Sequence, residues 1–455
     1  MPEILQRLAR TAGLMTKLSL SVLAVTTLSV TACAQSTVRV TVTPGVREGE
    51  SSLTLGVTHT QYTVQDGHGN AEALASARAL LPKMGPFQNQ HIMGWGALNP
   101  MPAPGQYDWS SLDARIELIR KSGGTPVITL CCAPDWMKGG QAGQTNWSNL
   151  EVAPLASHFD DFAQLSAQVA RRYPDVLHYQ VWNELKGFWN RTENRWDYEG
   201  YTALYNATYK ALKAVNPKIQ VGGPYIPFRP DADEAGRVPA RDASLRGQPY
   251  GSVDQRTLDA FEYWNKNKVG ADFVTNDLGS YNKNRPPSDP FAATQLYTDI
   301  MAWLRARTKL PIWWAEWYAT SHSAPSFSPE QQNALMAATL VRLARSGANV
   351  ALRWAPQGEG GRCCEGSQES LWSDVRLAGG GRPFPAAATT QSFVEHFSSG
   401  TPLVKVQSSS RSVIALASAK RVMLVNTTAA DVRVTINQRP PSLLKPFAVA
   451  FLPVP

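Results

Sequence analysis

Two glutamates stand where a carboxylic acid could do acid–base work. The run Tyr179-Gln180-Val181-Trp182-Asn183-Glu184 begins β-branched and aromatic, as a buried strand should, and ends on a polar pair where a strand leaves a core. Leu310-Pro311-Ile312-Trp313-Trp314-Ala315-Glu316-Trp317-Tyr318 repeats the design, an apolar strand ending on a carboxylate among aromatic residues. Either glutamate alone reads equally as a solvated strand-end carboxylate or one half of a structural ion pair. Two in matching settings point to paired carboxyl chemistry, in which one group moves a proton while the other stays charged.

The elements that position them follow from the spacing. The glutamates are roughly 130 residues apart, close to three repeats of a βα unit in a barrel of about 250 residues with insertions, which places them at the ends of strands four and seven. Ser52 to Thr60 reads as strand one, and strand two lies between Phe87 and Trp95. Thr125 to Leu130 is strand three, Ile219 to Gly222 strand five, Asp272 to Thr275 strand six and Asn349 to Trp354 strand eight. Between them lie helices at Ala71–Leu81, Phe159–Tyr173, Tyr198–Val215, Thr257–Asn267, Thr294–Arg307 and from Pro329, with Ser328 as its cap, to Ala344. A further helix opens at Gly105 to Asp113. This alternation argues an α/β fold, a (β/α)8 TIM barrel. The stretch from Arg229 to Gln255 is polar, punctuated by Pro and Gly and longer than an ordinary connection, so it is expected to shape the cleft.

Val181-Trp182-Asn183-Glu184-Leu185-Lys186-Gly187-Phe188-Trp189, followed by Tyr201 to Tyr209 and by Ala214-Val215-Asn216-Pro217-Lys218-Ile219-Gln220-Val221-Gly222-Gly223-Pro224, resembles glycoside hydrolase family 39 of the retaining clan A. The phrase Gly105 to Asp113 before strand three is a further clan-like feature. The chain departs from the pattern past strand six. Members usually carry a histidine and a tyrosine there, the tyrosine touching the nucleophile, whereas this chain reads Thr275-Asn276-Asp277-Leu278-Gly279-Ser280-Tyr281, leaving Tyr281 as the candidate from a shifted register. Gln88-Asn89-Gln90 stands where the clan often has an arginine.

The resemblance implies a glycosidase working by double displacement through a covalent glycosyl-enzyme, with the two carboxyl groups about 5 to 5.5 Å apart. Glu316 takes the part of the nucleophile, Glu184 that of acid and then base, and Asn183 that of a partner for the sugar 2-hydroxyl. Glu184 must then be protonated at working pH, and the charge of Glu316 is expected to raise it. Candidate substrate contacts are His59 at the mouth of strand one, Trp136 on the loop after strand three, Trp189, Tyr281, and Trp354 at the mouth of strand eight, a clan A sugar platform. His59 reads equally as a satisfied structural histidine, and Trp136 as a lid over the rim.

Residues 1–34 read as a signal peptide rather than fold. Arg7, Arg10 and Lys17 precede an apolar run from Leu18 to Val30, too short for a membrane-spanning helix of about 20 residues. Ala32-Cys33-Ala34 offers a cleavage site, and Val30-Thr31-Ala32-Cys33 equally a lipoprotein processing box that would lipidate Cys33. The expectation is a secreted or cell-envelope protein, with lipidated Cys33 as the one route to a membrane.

Residues 35–50 hold an exposed or edge strand, Thr37 to Thr43; residues 51–382 the catalytic barrel; and residues 383–455 a small C-terminal β-rich accessory domain, sandwich-like, that braces the barrel or binds glycans. At 455 residues with 43% hydrophobic and 18% charged, the chain can bury a full-sized core. Its net charge of +8 is scattered without a Lys/Arg run, which argues against nucleic acid. Cys131-Cys132 and Cys363-Cys364 either cross-link two loops or each form a vicinal ring. No metal and no cofactor are expected, and the partner is a carbohydrate, an oligo- or polysaccharide. The other readings are a transglycosidase remodelling an exopolysaccharide and a non-catalytic glycan-binding protein.

Overall fold

In the computed structural model, which describes residues 37–282, 284–319, 327–358 and 370–454, eight strands close into a parallel barrel. In chain order they are Thr54–Thr58, Phe87–His91, Thr125–Leu130, His178–Val181, Gln220–Pro227, Phe273–Gly279, Ile312–Tyr318 and Val350–Trp354, numbered one to eight below. Each pairs with the next, and strand eight returns onto strand one, Trp354 opposite Thr58.

The barrel interior is filled in layers because alternate residues of each strand point inward. Phe87, Val127, Phe273, Trp313, Val350 and Leu352 form a core cluster of their own, with Phe273 stacked on Trp313 at 4.1 Å. Two residues further along, strands one to four contribute Thr58, Asn89, Thr129 and Gln180, joined by side-chain hydrogen bonds of 3.2, 2.9 and 3.2 Å. This paired polar layer lies directly under the mouth.

The helices form the outer layer by the same logic. Phe159–Arg172 buries Phe162, Leu165 and Val169 on one face, with Asp160 and Asp161 in its first turn and Arg171 and Arg172 in its last, as its dipole favours. Ser328 caps helix Pro329–Arg345 by accepting from the Gln331 N–H. The expected Thr294–Arg307 helix is Gln295–Arg305, and a separate short helix, Pro290–Ala293, precedes it.

Strands five and six run past their apolar segments, to Pro227 and Gly279 rather than Gly222 and Thr275, because pairing with neighbours carries the backbone on. The register shifts between Pro224 and Ile226 on strand five, and between Trp314 and Glu316 on strand seven. A bulge re-aims the side chain beside it. These two re-aim Tyr225, whose φ is 52°, and Glu316.

Packing below the mouth is tight. A Cβ added at Gly222 would lie 2.1 Å from the ring of Phe273, which is itself pinned by Trp313. Gly222→Ala is therefore expected to destabilise the barrel by about 1–3 kcal/mol through overpacking, seen as a lower urea midpoint with an unchanged slope.

The N-terminal strand, Val38–Glu50, pairs antiparallel with Pro402–Ser408 and parallel with Val432–Ile436, in one sheet that also holds Ser442–Leu444. A second sheet holds Val413–Ala417, Arg421–Asn426 and Val449–Pro453. Val38, Val40 and Val42 meet Val404, Val406, Val422 and Leu424 in a core of their own, while Leu403, Leu416, Met423 and Val425 join the core of the barrel helices. Helix Pro385–Phe397, which the strand-like pattern of this stretch does not suggest, buries Phe393 and Phe397.

Candidate active site

Glu184 and Glu316 meet at the C-terminal mouth of the barrel, only 6% and 5% exposed. One carboxylate oxygen of each, and one of Asp277 from strand six, lie within 4.8 Å of one another. The chain reaches Glu184 through left-handed backbone at Trp182, Glu184 and Leu185, with φ of 69°, 49° and 53°. Non-glycine residues adopt this conformation at a cost of about 1–3 kcal/mol each, and such positions cluster at functional sites.

Each carboxyl has different company. Glu184 Oε1 accepts from Arg229 Nη2 at 3.1 Å, and Oε2 sits 2.9 Å from Lys186 Nζ. Lys186 also pairs with Glu151 at 2.5 Å. Glu316 Oε2 accepts from the Tyr225 hydroxyl at 3.1 Å. Asp277 has an oxygen within 4.8 Å of one of Glu184, and its Oδ1 has no partner among the described residues.

The electrostatics follow, and they correct the expectation that Glu316 raises Glu184. Burial pushes the Glu184 carboxyl up, but Lys186, the hydrogen bond with Asp277, and Arg229 outweigh it and hold Glu184 below the usual carboxylate range. Burial and the charge of Glu184 push Asp277 well up. Glu316 is also raised, by burial and by Glu184, against Lys186, Tyr225 and Arg229. Three carboxyls this close cannot all ionise, and the one flanked by cations keeps its charge.

Trp95 and Trp354 wall the cavity, their rings 5.9 Å apart, with the His91 ring 4.4 Å from Trp95. Burial holds His91 down to about 3, so it is neutral. The cavity, about 410 Å³, is lined by these two tryptophans, the three carboxyls, Lys186, Arg229, Tyr281 and Asn282. A second hollow of about 290 Å³ shares Glu184, Lys186, Arg229 and Asp231 with it and continues to Trp189 and Trp196. Those two rings meet edge to face at 5.0 Å on a short hairpin, with the Arg256 guanidinium 4.8 Å over Trp189.

Of the residues singled out from sequence, Glu184, Glu316, Trp354 and Tyr281 line the main cavity and Trp189 the adjoining hollow. Asn183 is buried beside Glu184, its Oδ1 without a partner among the described residues. His59 is a correction. Because Thr58 faces the barrel interior, His59 faces the helix layer, fully buried, with Nε2 2.9 Å from Gln88 Oε1. Trp136 is another, since its Nε1–H donates to the Met101 carbonyl at 3.1 Å and its ring abuts His158, away from the cavity. The hydroxyl on Glu316 is that of Tyr225 rather than Tyr281, which packs edge-on against Phe327 at 5.8 Å.

Sequence reasoning passed over Tyr225, Asp277, Lys186 and Arg229. Their shared signal was position, within a few residues of the C-terminal end of a barrel strand. Cys131 and Cys132, just past strand three, are disulfide-bonded to each other, while Cys33, Cys363 and Cys364 lie outside the described residues.

A family model, Glycosyl hydrolases family 39, matches residues 101–355, which carry strands three to eight and all three clustered carboxyls. Solved structures share the fold at low identity. SrfJ from Salmonella typhimurium is 12% identical with a TM-score of 0.61, over 92% of this chain and 92% of that one. The GH39 enzyme from Xanthomonas axonopodis pv. citri is 16% identical with a TM-score of 0.56, over 90% and 82%. A monomeric beta-xylosidase from Caulobacter crescentus CB15 is 15% identical with a TM-score of 0.53, over 89% and 84%.

Proposed function

The chain belongs to glycoside hydrolase family 39, a family of retaining glycosidases, and on that premise we propose that it hydrolyses O-glycosidic bonds within an oligo- or polysaccharide, with Glu316 as nucleophile and Glu184 as acid and then base. One observation carries the reading. One carboxylate oxygen of each glutamate lies within 4.8 Å of the other's, in keeping with the close pair of a retaining enzyme, whereas inversion sets the two carboxyl groups about 6.5–9.5 Å apart to seat a water.

Glycosidic cleavage passes through an oxocarbenium-like transition state. Glu316 attacks the anomeric carbon while the leaving oxygen takes a proton from Glu184, giving the glycosyl-enzyme. Glu184, now a carboxylate, removes a proton from water, which releases the sugar with its original configuration. The Asn183 amide is assigned to the sugar 2-hydroxyl, and Trp354 and Trp95 to its apolar face. The Tyr225 hydroxyl holds the Glu316 carboxylate in line. Tyr225→Phe should lower kcat about 10- to 100-fold, as expected for one lost hydrogen bond to a charged group, with little change in thermal stability.

Extension of the cleft past Glu184 to Trp189 and Trp196 favours a substrate with sugar on both sides of the broken bond. The test is time-resolved NMR and mass spectrometry on a panel of β-linked polysaccharides, end-labelled oligosaccharides and aryl glycosides. Internal fragments of retained configuration support the reading. Exclusive release of monosaccharide would reject the chain substrate, inverted product would reject the mechanism, and growth of longer oligosaccharides would identify a transglycosidase.

We also infer export, from the charged and apolar pattern of residues 1–34. Mass spectrometry of the mature N-terminus tests it: a start at Ala34 or beyond, or a lipidated Cys33, supports export, and an intact Met1 or Met15 on cytoplasmic protein overturns it.

A further inference from the structure

We propose that Asp277 is the proton-holding partner of Glu184, keeping in the resting site the proton that Glu184 passes to the leaving oxygen. This rests on the reading of Glu184 as the acid.

The difficulty it resolves is geometric. Glu184 is flanked by Lys186 at 2.9 Å and Arg229 at 3.1 Å, one on each carboxylate oxygen. A carboxyl so placed is ionised, and an ionised group cannot protonate a leaving oxygen. The ion pairs of the described residues reach Glu184 but neither Asp277 nor Glu316. Asp277 is only 3% exposed, lines the cavity, and has a carboxylate oxygen within 4.8 Å of one of Glu184. Three buried carboxyls with oxygens within 4.8 Å of one another hold a proton among them, since they cannot all ionise.

One proton on the three clustered acids leaves two negative charges beside Lys186 and Arg229, with Glu151 sharing Lys186 and with Asp231 and Glu234 further along the cavity wall. The groups around Asp277 fix where that proton rests. Strand four brings Glu184 and Lys186, strand five the Tyr225 hydroxyl and Arg229, and strand seven Glu316. The cations and the hydroxyl stabilise charge on the glutamates. Asp277, with its Oδ1 unpartnered among the described residues, is the member that keeps the proton.

The cycle balances. As the glycosidic bond breaks, the proton moves from Asp277 to Glu184 and from Glu184 to the leaving oxygen, while Glu316 bonds to the anomeric carbon. When water attacks, Glu184 takes its proton and returns it to Asp277, hydroxide adds to the anomeric carbon and Glu316 leaves as carboxylate. Asp277 acts through Glu184 and is a positioning residue.

The first test needs no substrate. In protein labelled with 13C at the aspartate side-chain carboxyl, the resonance that disappears in Asp277→Asn is expected at the protonated position at pH 7. In labelled Glu184→Gln its titration should move down from the wild-type position, since the Glu184 charge is gone while the burial remains. An ionised Asp277 at pH 7 in the wild type overturns the proposal, whatever the enzyme's activity. Should Asp277→Asn fail to fold, Glu184→Gln supplies the same assignment by its shifted titration.

The second test is kinetic, on the most active aryl glycosides of the panel. With the partner gone, Lys186 and Arg229 hold Glu184 ionised, so the basic limb of kcat/KM should move down by at least about one pH unit, a shift of the kind a lost charge partner produces. Poor leaving groups should lose about 100-fold in kcat/KM, while activated leaving groups keep kcat/KM within about threefold because their glycosylation step needs no proton. Equal losses on both, with both limbs unmoved, would reduce Asp277 to a structural part. A protonated Asp277 in a protein that cleaves no glycoside would leave the proton's place intact and overturn the glycosidase reading instead.

Discussion

Glu316→Ala is expected to fold normally and to lose turnover on the order of 10⁴- to 10⁶-fold, as removal of a nucleophile does. The space left beside the anomeric carbon admits a small anion. Azide should then restore cleavage of activated aryl glycosides and yield a glycosyl azide of inverted configuration, since one displacement replaces two. NMR of that product checks the assignment, and an azide of retained configuration would move the nucleophile elsewhere. The stability effect has a definite sign. Glu316 is buried beside two other carboxyls, with no cation of its own among the described ion pairs, and is pushed upward by burial and by Glu184. A group raised in the folded state costs nothing below its unfolded pKa of about 4.3 and costs progressively more as pH rises through its folded value. Glu316→Gln should therefore melt higher than wild type at pH 7, with the gap closing as pH falls toward 4.

Strands four and seven were legible because each is a short apolar run with a carboxylate near its mouth end, although strand four stops at Val181, before Glu184, and strand seven runs past Glu316 to Tyr318. Thr125–Leu130 and Tyr198–Val215 were equally plain, one bounded by turn residues and the other ended by Asn216-Pro217. What the sequence hid was aim. Tyr225 reaches Glu316 because a register shift turns it inward, and a shift of pairing leaves no mark in residue type. Arg229 comes from the start of a long insertion, whose effect on the cleft could be expected but whose contacts could not. His59 and Trp136 carry the right chemistry at the rim yet point away from the cavity, one by strand alternation and the other into a backbone carbonyl. Helix Pro385–Phe397 was missed because its Ala- and Thr-rich first turns give little periodic signal. Asp277 stood in plain sight where the family pattern was broken, and its company, rather than its type, gives it meaning.

Glu184→Gln should separate the two halves of the reaction and invert the stability effect seen at Glu316. Without an acid, glycosides with poor leaving groups should lose about 10²- to 10⁴-fold. Activated aryl glycosides should still form the glycosyl-enzyme and then stall, because no base activates water. A burst of one equivalent of phenol followed by slow turnover is the expected trace, and azide should relieve the stall to give a product of retained configuration, the opposite of the Glu316→Ala result. Swapped stereochemical outcomes would swap the roles. For stability, the carboxylate being removed is the one that neutralises Lys186 and Arg229. Breaking a buried pair by deleting one partner costs about 3–5 kcal/mol, but the Arg229 side chain is 56% exposed and Lys186 keeps Glu151, so about 1–2 kcal/mol is expected after solvent screening. Because Glu184 is held below its unfolded value, its contribution is present above about pH 4.3 and is lost as pH falls below that, through the folded value. The deficit of Glu184→Gln should accordingly be full at pH 7 and shrink on acidification. Its sign at pH 7 is opposite to that of Glu316→Gln, so one pair of melting curves tests which of the two glutamates the cations serve.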